Sequence, residues 1–221
     1  MNLRYLSEDR VEALKLWFDA LQLRGGLEEK NPWTGSRGIG HDDRVQLRRA
    51  RSVEDLERGL AANMLVTHLL RGDWKNNLAK RWFEANPLPL LMIAGVLATV
   101  REDTEDGKSL AWRAGRAFAE GNRAPMSEIR FRRLLEEQRL ESFFLLVRRA
   151  VELAGGNVDV TVLADDLIAW AYEQELPASS QAPAQSMCFR WAQDYYAPDH
   201  KLNSGDLPVA TEKIAEGEMV P

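Results

Sequence analysis

Few residues in this chain have the types and spacing that chemistry requires. His41–Asp42 sets an imidazole beside a carboxylate, a combination that ligates a hard or borderline cation in helical metal-dependent phosphohydrolases. The remaining histidines are His68 and His200, and no Glu-x-x-His motif accompanies them. His41 therefore reads as a loop or cap residue, and His68, beside Leu69–Leu70, as an edge-of-core histidine. Gly35, Gly38 and Gly40 in GSRGIG have the composition of a phosphate loop but lack a preceding strand and a Gly-Lys-Ser/Thr ending, so a turn is the better reading. The single cysteine, Cys188, would need a base or an electropositive setting to act as a nucleophile, and sequence adjacency offers only Arg190. Packing is its expected use. A lone cysteine also makes no internal disulfide, which points to a reducing cytoplasm. Asp165–Asp166 and Glu136–Glu137 are adjacent and so lie about 100° apart around a helix, not on the shared face that paired acid–base work needs. No catalytic group, metal or cofactor is expected.

Arginine is the side chain with an organised pattern. Residues 112–149 contain nine Arg and no Lys against five Glu. The guanidinium is a planar donor fork suited to phosphate, whereas lysine is a point charge on a flexible stem. Arg113 and Arg116, like Arg130 and Arg133, are three apart and project from neighbouring helical turns, while Arg48–Arg49 and Arg148–Arg149 are doublets. With Arg123 between them, such groups could line a track for a polyanion backbone. The total charge of −5 hides this, because residues 1–149 carry 26 Lys+Arg against 22 Asp+Glu and residues 150–221 carry 3 against 12. The acidic C-terminal part is expected to face solvent or a basic neighbour. The alternative is a solvated, partly salt-bridged set of helix faces; an exposed Arg148–Glu152 pair would add only about 0.3–0.5 kcal/mol. Trp74, Trp82, Trp112 and Trp170 fall mostly on apolar faces and are expected in the core. No base-reading motif is present.

The elements that must position these arginines read as helices. At 221 residues, 45% of them apolar, the chain is long enough to build its own core. Leu6, Val11, Leu14, Phe18 and Leu21 repeat at helical spacing after Ser7, a suitable N-cap, and Gly25–Gly26 is the stop. A poorly periodic Leu27–Gly40 connection precedes a short helix over Asp43–Ala50. Ser52 and Asp55 outline a capping box before a helix carrying Leu56, Leu60 and Met64, and another helix is expected near Asp73. The run from Leu88 to Val100 is too short for a membrane span and reads as a buried helix. Further helices are expected from Ser109, from Ser127, over Leu140–Leu153 with Gly155–Gly156 as stop, from Asp159, and over Met187–Tyr196. No strand alternation is evident. The expectation is an all-α helical bundle of two packed helical sub-bundles: residues 1–108 with a variable 27–40 loop, residues 109–196 with a flexible link over Pro177–Ser186, and an acidic flexible tail over 197–221.

Several stretches in order carry a family likeness: LRRARSVEDL at Leu47–Leu56, then AGRAFAE, MSEIRFRRLL, LLVRRAVEL, VDVTVLADDLIAW and FRWAQDYY. The sequence resembles the CasB small subunit of the type I-E CRISPR surveillance complex, Cascade, over most of Val11–Tyr196. The resemblance implies an all-α, non-catalytic cytoplasmic subunit that sits as a head-to-tail pair with a second copy, beside the Cascade backbone and large subunits. It implies contacts with CRISPR guide RNA, target DNA and the displaced DNA strand. Carried onto this chain, the family's arginine positions fall on Arg48, Arg49, Arg116, Arg130, Arg133, Arg148 and Arg149; Arg123 is added from its place in the basic segment. The longer Leu27–Gly40 connection and the acidic tail depart from the family pattern. A helical protein-interaction adaptor, with arginines paired to acidic partners and no nucleic-acid contact, is the alternative.

Overall fold

Leu88–Leu97 (LPLLMIAGVL) has no polar face, and a helix that is apolar all round has to be surrounded. In the computed structural model, which describes residues 3–22, 33, 38–116, 124–176 and 183–197, this segment lies at the centre of an all-α bundle. The helices are α1 (Glu8–Gln22), α2 (His41–Arg49), α3 (Leu60–Arg71), α4 (Asn77–Ala85), α5 (Leu88–Leu97), α6 (Leu110–Gly115), α7 (Glu128–Glu136), α8 (Leu140–Leu153), α9 (Val160–Glu173) and α10 (Met187–Tyr196). α5 is buried from Pro89 to Leu97 and packs against α2 and α3 as well as α8 and α9. Gly95 marks its tightest crossing, because a Cβ there would come within 2.7 Å of Leu56 Cδ1 and 2.9 Å of Phe144 Cε2. Among the described residues, no helix is long and apolar enough to cross a membrane.

Side-chain caps fix several helix starts. Ser109 Oγ accepts from the Trp112 amide at 3.1 Å, and Asp159 Oδ1 accepts from the Thr161 and Val162 amides, each at 3.0 Å, so α6 and α9 begin where the sequence places them. α7 and α10 start directly after Ser127 and Ser186. Gly155 and Gly156 end α8 with φ of +82° and +80°, a backbone region that costs a residue with a Cβ.

α1 does begin directly after Ser7, as the sequence places it, and Ser7 Oγ donates to the Asp73 carbonyl at 2.6 Å, tying the start of α1 to the α3–α4 connection. Other expected boundaries are corrected. Ser52 and Asp55 do form a reciprocal box, with Asp55 Oδ2 accepting from the Ser52 amide at 3.1 Å and Ser52 Oγ from the Asp55 amide at 3.2 Å. It caps only a 3-10 turn at Glu54–Leu56, and the next helix waits until after Gly59. The helix expected near Asp73 starts instead at Asn77, where Asn76 Oδ1 accepts from the Leu78 and Ala79 amides. A short parallel pairing also appears, between β1 (Glu102–Asp103) and β2 (Asn157–Val158). Two residues are too few to display a period-two pattern in sequence. Among the described residues of the Leu27–Gly40 connection (33 and 38–40), Trp33 and Ile39 are buried. Arg123, the stop at Gly25–Gly26, residues 177–182 and the acidic segment 198–221 lie outside the described residues.

Candidate nucleic-acid interface

An α-helix ends with carbonyls that have no intrahelical donor, and a guanidinium can satisfy more than one of them. This chain uses arginine in that way repeatedly. Arg44 on α2 donates to the carbonyls of Ala98, at 3.3 Å, and Val100, just past α5. Arg10 donates to the His68 carbonyl in the last turn of α3. Arg116 Nη1 donates to the Ala197 carbonyl at 2.5 Å, after α10. Arg148 on α8 donates through Nη1 to the Ala50 carbonyl at 2.5 Å and through Nη2 to the Arg48 carbonyl, closing the end of α2. Each cation also meets the negative end of a helix dipole.

The Arg148 contact has a geometric result. It joins two arginine doublets that are a hundred residues apart in sequence, Arg48–Arg49 at the end of α2 and Arg148–Arg149 on α8. Arg148 is half-buried, its guanidinium 5.0 Å from the Phe144 ring centroid, and burial pushes its pKa down. Its neighbours are exposed: the guanidiniums of Arg48, Arg49 and Arg51 have no hydrogen bond or ion pair among the described residues, while the Arg51 amide donates to Asp55 Oδ2 at 2.7 Å. Arg149 is exposed and pairs with Glu152 Oε2 at 2.9 Å. The Arg148–Glu152 pair of the alternative reading is replaced, since Arg148 is turned onto α2 and its neighbour Arg149 pairs with the glutamate.

A second basic surface lies on α7. Phe131 points inward, stacked on Tyr195 with centroids 4.0 Å apart and planes 7° apart. Arg130 and Arg133 point outward, exposed and without a partner among the described residues, beside Ile129, which is 82% exposed. Arg132 pairs with Glu128 one turn away. The Arg113–Arg116 pair, by contrast, lies inside. Arg113 is buried and donates to Asp106 Oδ2 at 2.6 Å and Thr104 Oγ1 at 2.7 Å. Arg116 is 9% exposed, with its guanidinium 5.3 Å from the Trp112 ring centroid. The structure thus joins the two doublets through Arg148 and the Arg48 carbonyl, leaves Arg48, Arg49 and Arg149 exposed, keeps Arg130 and Arg133 at the surface of α7, and buries Arg116.

The carboxylates that matter to the fold were missed by spacing. Asp165 accepts from the backbone amides of Arg4 at 2.8 Å and of Tyr5 and Leu6 at 2.9 Å each. Asp166 accepts from Trp191 Nε1 at 2.7 Å and faces Arg190 at 3.1 Å; burial pushes its pKa up to about 6, against the pull of Arg190. Glu173 accepts from the Met187 amide at 2.8 Å and from Arg4 at 3.3 Å. One signal was available: α9 carries apolar residues around its whole circumference, so its acids cannot all face water. Adjacent carboxylates diverge around a helix, and here each grips a different neighbour.

The other sequence candidates resolve simply. Cys188 Sγ lies 3.5 Å from the Leu135 carbonyl, and burial pushes its thiol up to about 11, which suits packing and not nucleophilic attack. Among the described residues, no three His, Cys, Asp or Glu side chains converge on a metal-sized site. His68 packs against Trp33 with ring centroids 4.0 Å apart, and burial lowers its pKa. Trp74 and Trp170 are buried and Trp82 and Trp112 half-buried, in keeping with core positions.

A family model described as CRISPR-associated protein Cse2 matches residues 43–196. A CRISPR-associated protein Cse2 from Thermus thermophilus is 31% identical over 170 residues, spanning 77% of this chain and 83% of that protein. No solved structure matches the chain.

Proposed function

This chain belongs to the Cse2 (CasB) family, non-catalytic small subunits of type I-E Cascade, and we propose that it holds the guide RNA–target DNA hybrid and the displaced DNA strand through its exposed arginines. In this reading it works in the cytoplasm beside the Cascade backbone and large subunits and a second copy of itself. The observation that supports the reading is the junction of α2 and α8, where Arg148 fastens the Arg48 carbonyl, and Arg48, Arg49 and Arg149 are each exposed.

Guide-directed complexes obtain sequence discrimination from base pairing, so a subunit of this kind has to neutralise phosphates and not to read bases. Arginines without an internal partner are free to do so. The Arg149–Glu152 pair is solvent-exposed and weak, within about 1 kcal/mol, so a phosphate competes with it readily. Arg130 and Arg133 on α7 supply a second group, and Arg123 joins from the sequence pattern alone. Arg148 and Arg116 contribute as holders of α2 and α10, their donors directed at their own chain.

The test is assembly of Cascade with Arg48→Glu/Arg49→Glu and Arg149→Glu chains, followed by target-DNA retention across a salt series. Each lost phosphate contact should flatten the slope of log K against log salt by roughly 0.7–0.9. An unchanged slope in a normally assembled complex would overturn the reading and favour a helical adaptor.

A further inference from the structure

α7 carries the most exposed large apolar side chain among the described residues, Ile129, on a face shared with Arg130 and Arg133. Ile129 and Arg133 are one helical turn apart and Arg130 and Arg133 three residues apart, so the three form one patch about 6 Å long. Its chemistry calls for a ligand that brings carboxylates and an apolar side chain together. A phosphate backbone answers the arginines and leaves the isoleucine wet.

The described chain leaves the bundle beside α7. Tyr195 stacks on Phe131 from the inner side of α7, and Tyr195 Oη donates to the Met126 carbonyl at 2.7 Å, just before the helix. Arg116 holds the Ala197 carbonyl, which fixes where the following segment starts. Residues 198–221 contain Asp199, Asp206, Glu212, Glu216 and Glu218 against Lys201 and Lys213, and end in EGEMVP. Glu216 and Glu218 flank the approach to Met219 and Val220, the acidic-plus-apolar combination the patch lacks. The 24 residues reach about 80 Å at most, whereas α7 is only about 13 Å long, so distance imposes no barrier.

We propose that the acidic segment 198–221 docks in cis on the Ile129–Arg130–Arg133 face of α7, its carboxylates on the two arginines and its Met219–Val220 pair on the isoleucine, and competes there with polyanions. This inference builds on the proposed nucleic-acid role but does not require it, because docking can be read without any nucleic acid. The device would shield part of the basic surface until a longer, denser polyanion displaces the segment. Ion pairs of this sort weaken with salt, so the shield is strongest at low ionic strength.

The experiment compares amide NMR spectra of the full chain, the chain ending at Ala197, and a full chain with Glu212, Glu216 and Glu218 changed to Gln. The expected result is that truncation and neutralisation both shift the amides of residues 128–134, independently of protein concentration, and that 0.5 M salt removes the difference. In parallel, truncation should tighten binding of a 30-nucleotide single strand several-fold at low salt, and Arg130→Glu/Arg133→Glu should abolish that gain. Unchanged α7 amides on truncation would overturn the proposal, and concentration-dependent shifts would overturn it in favour of a second copy's segment. α7 shifts without any oligonucleotide binding would leave docking standing and count against the nucleic-acid reading instead.

Discussion

Arg148 on α8 donates to the backbone carbonyl of Arg48, so one member of the second arginine doublet builds the platform for the first. The two members of the second doublet accordingly do different work. Arg148 supplies charge-assisted bonds to the Arg48 and Ala50 carbonyls from a half-buried position, and Arg149 makes an exposed pair with Glu152.

Arg148→Met should therefore cost about 2–3 kcal/mol of stability, since two carbonyls lose their donor. Arg149→Met should change stability by less than about 0.5 kcal/mol. Urea denaturation of the two variants separates them, and equal midpoints would contradict the assignment.

Asp165 accepts from three consecutive backbone amides, those of Arg4, Tyr5 and Leu6. Asp165→Ala leaves these donors unpaired and should destabilise the chain by about 3 kcal/mol or more. Hydrogen exchange gives the specific signature: these amides should exchange much faster in the variant, while those of α5 should lose protection only in step with global stability.

Asp166 has its carboxyl raised to about 6 by burial, so the folded chain binds a proton there more tightly than the unfolded chain does. A raised carboxyl opposes folding above its folded pKa, and the penalty fades as pH falls from about 6 toward 4. At neutral pH it amounts to about 3 kcal/mol, at 1.36 kcal/mol per pKa unit. The contribution of this group to stability should thus improve on mild acidification. Asp166→Asn keeps an acceptor for Trp191 and should remove that contribution, which parallel denaturation series at pH 7 and pH 5 would reveal as a smaller gain, or a larger loss, on acidification. An identical pH response in both proteins would refute the account.

Gly115 is the last residue of α6, and a Cβ there would lie 2.4 Å from the Tyr195 carbonyl oxygen. Backbone on both sides cannot yield as a long side chain could. Gly115→Ala should lower the melting temperature by several degrees and expose α10 to limited proteolysis ahead of α5, at a cost of about 1–3 kcal/mol. Gly107, where no atom lies within 4 Å of the added Cβ, has a φ of +72° and is penalised for backbone strain alone.

Much of the fold was legible because its signals are local. Ser109 and Asp159 announce α6 and α9 through their own caps, Gly155–Gly156 ends α8, and the uninterrupted apolar run of α5 dictates burial. The candidate interface was legible only in part. Sequence reveals that Arg48, Arg49, Arg148 and Arg149 exist, and helical spacing reveals which turns they occupy. Which guanidinium turns inward depends on where another helix happens to end, as with Arg148 at Ala50 and Arg116 at Ala197, and those meetings are set by tertiary packing. The same holds for Asp165 and Asp166, whose partners come from opposite ends of the chain.

The bond from the Arg4 amide to Asp165 spans 161 positions. At a synthesis rate of roughly 5–20 residues per second, the Arg4–Leu6 segment has to wait roughly ten to thirty seconds after its own synthesis for its acceptor. α10 arrives later still and clasps the same helix through Asp166 and Glu173. The Arg4–Leu6 segment and α10 are therefore both fastened to one helix made late in synthesis, and a nascent chain halted before α9 has no acceptor for the Arg4–Leu6 amides.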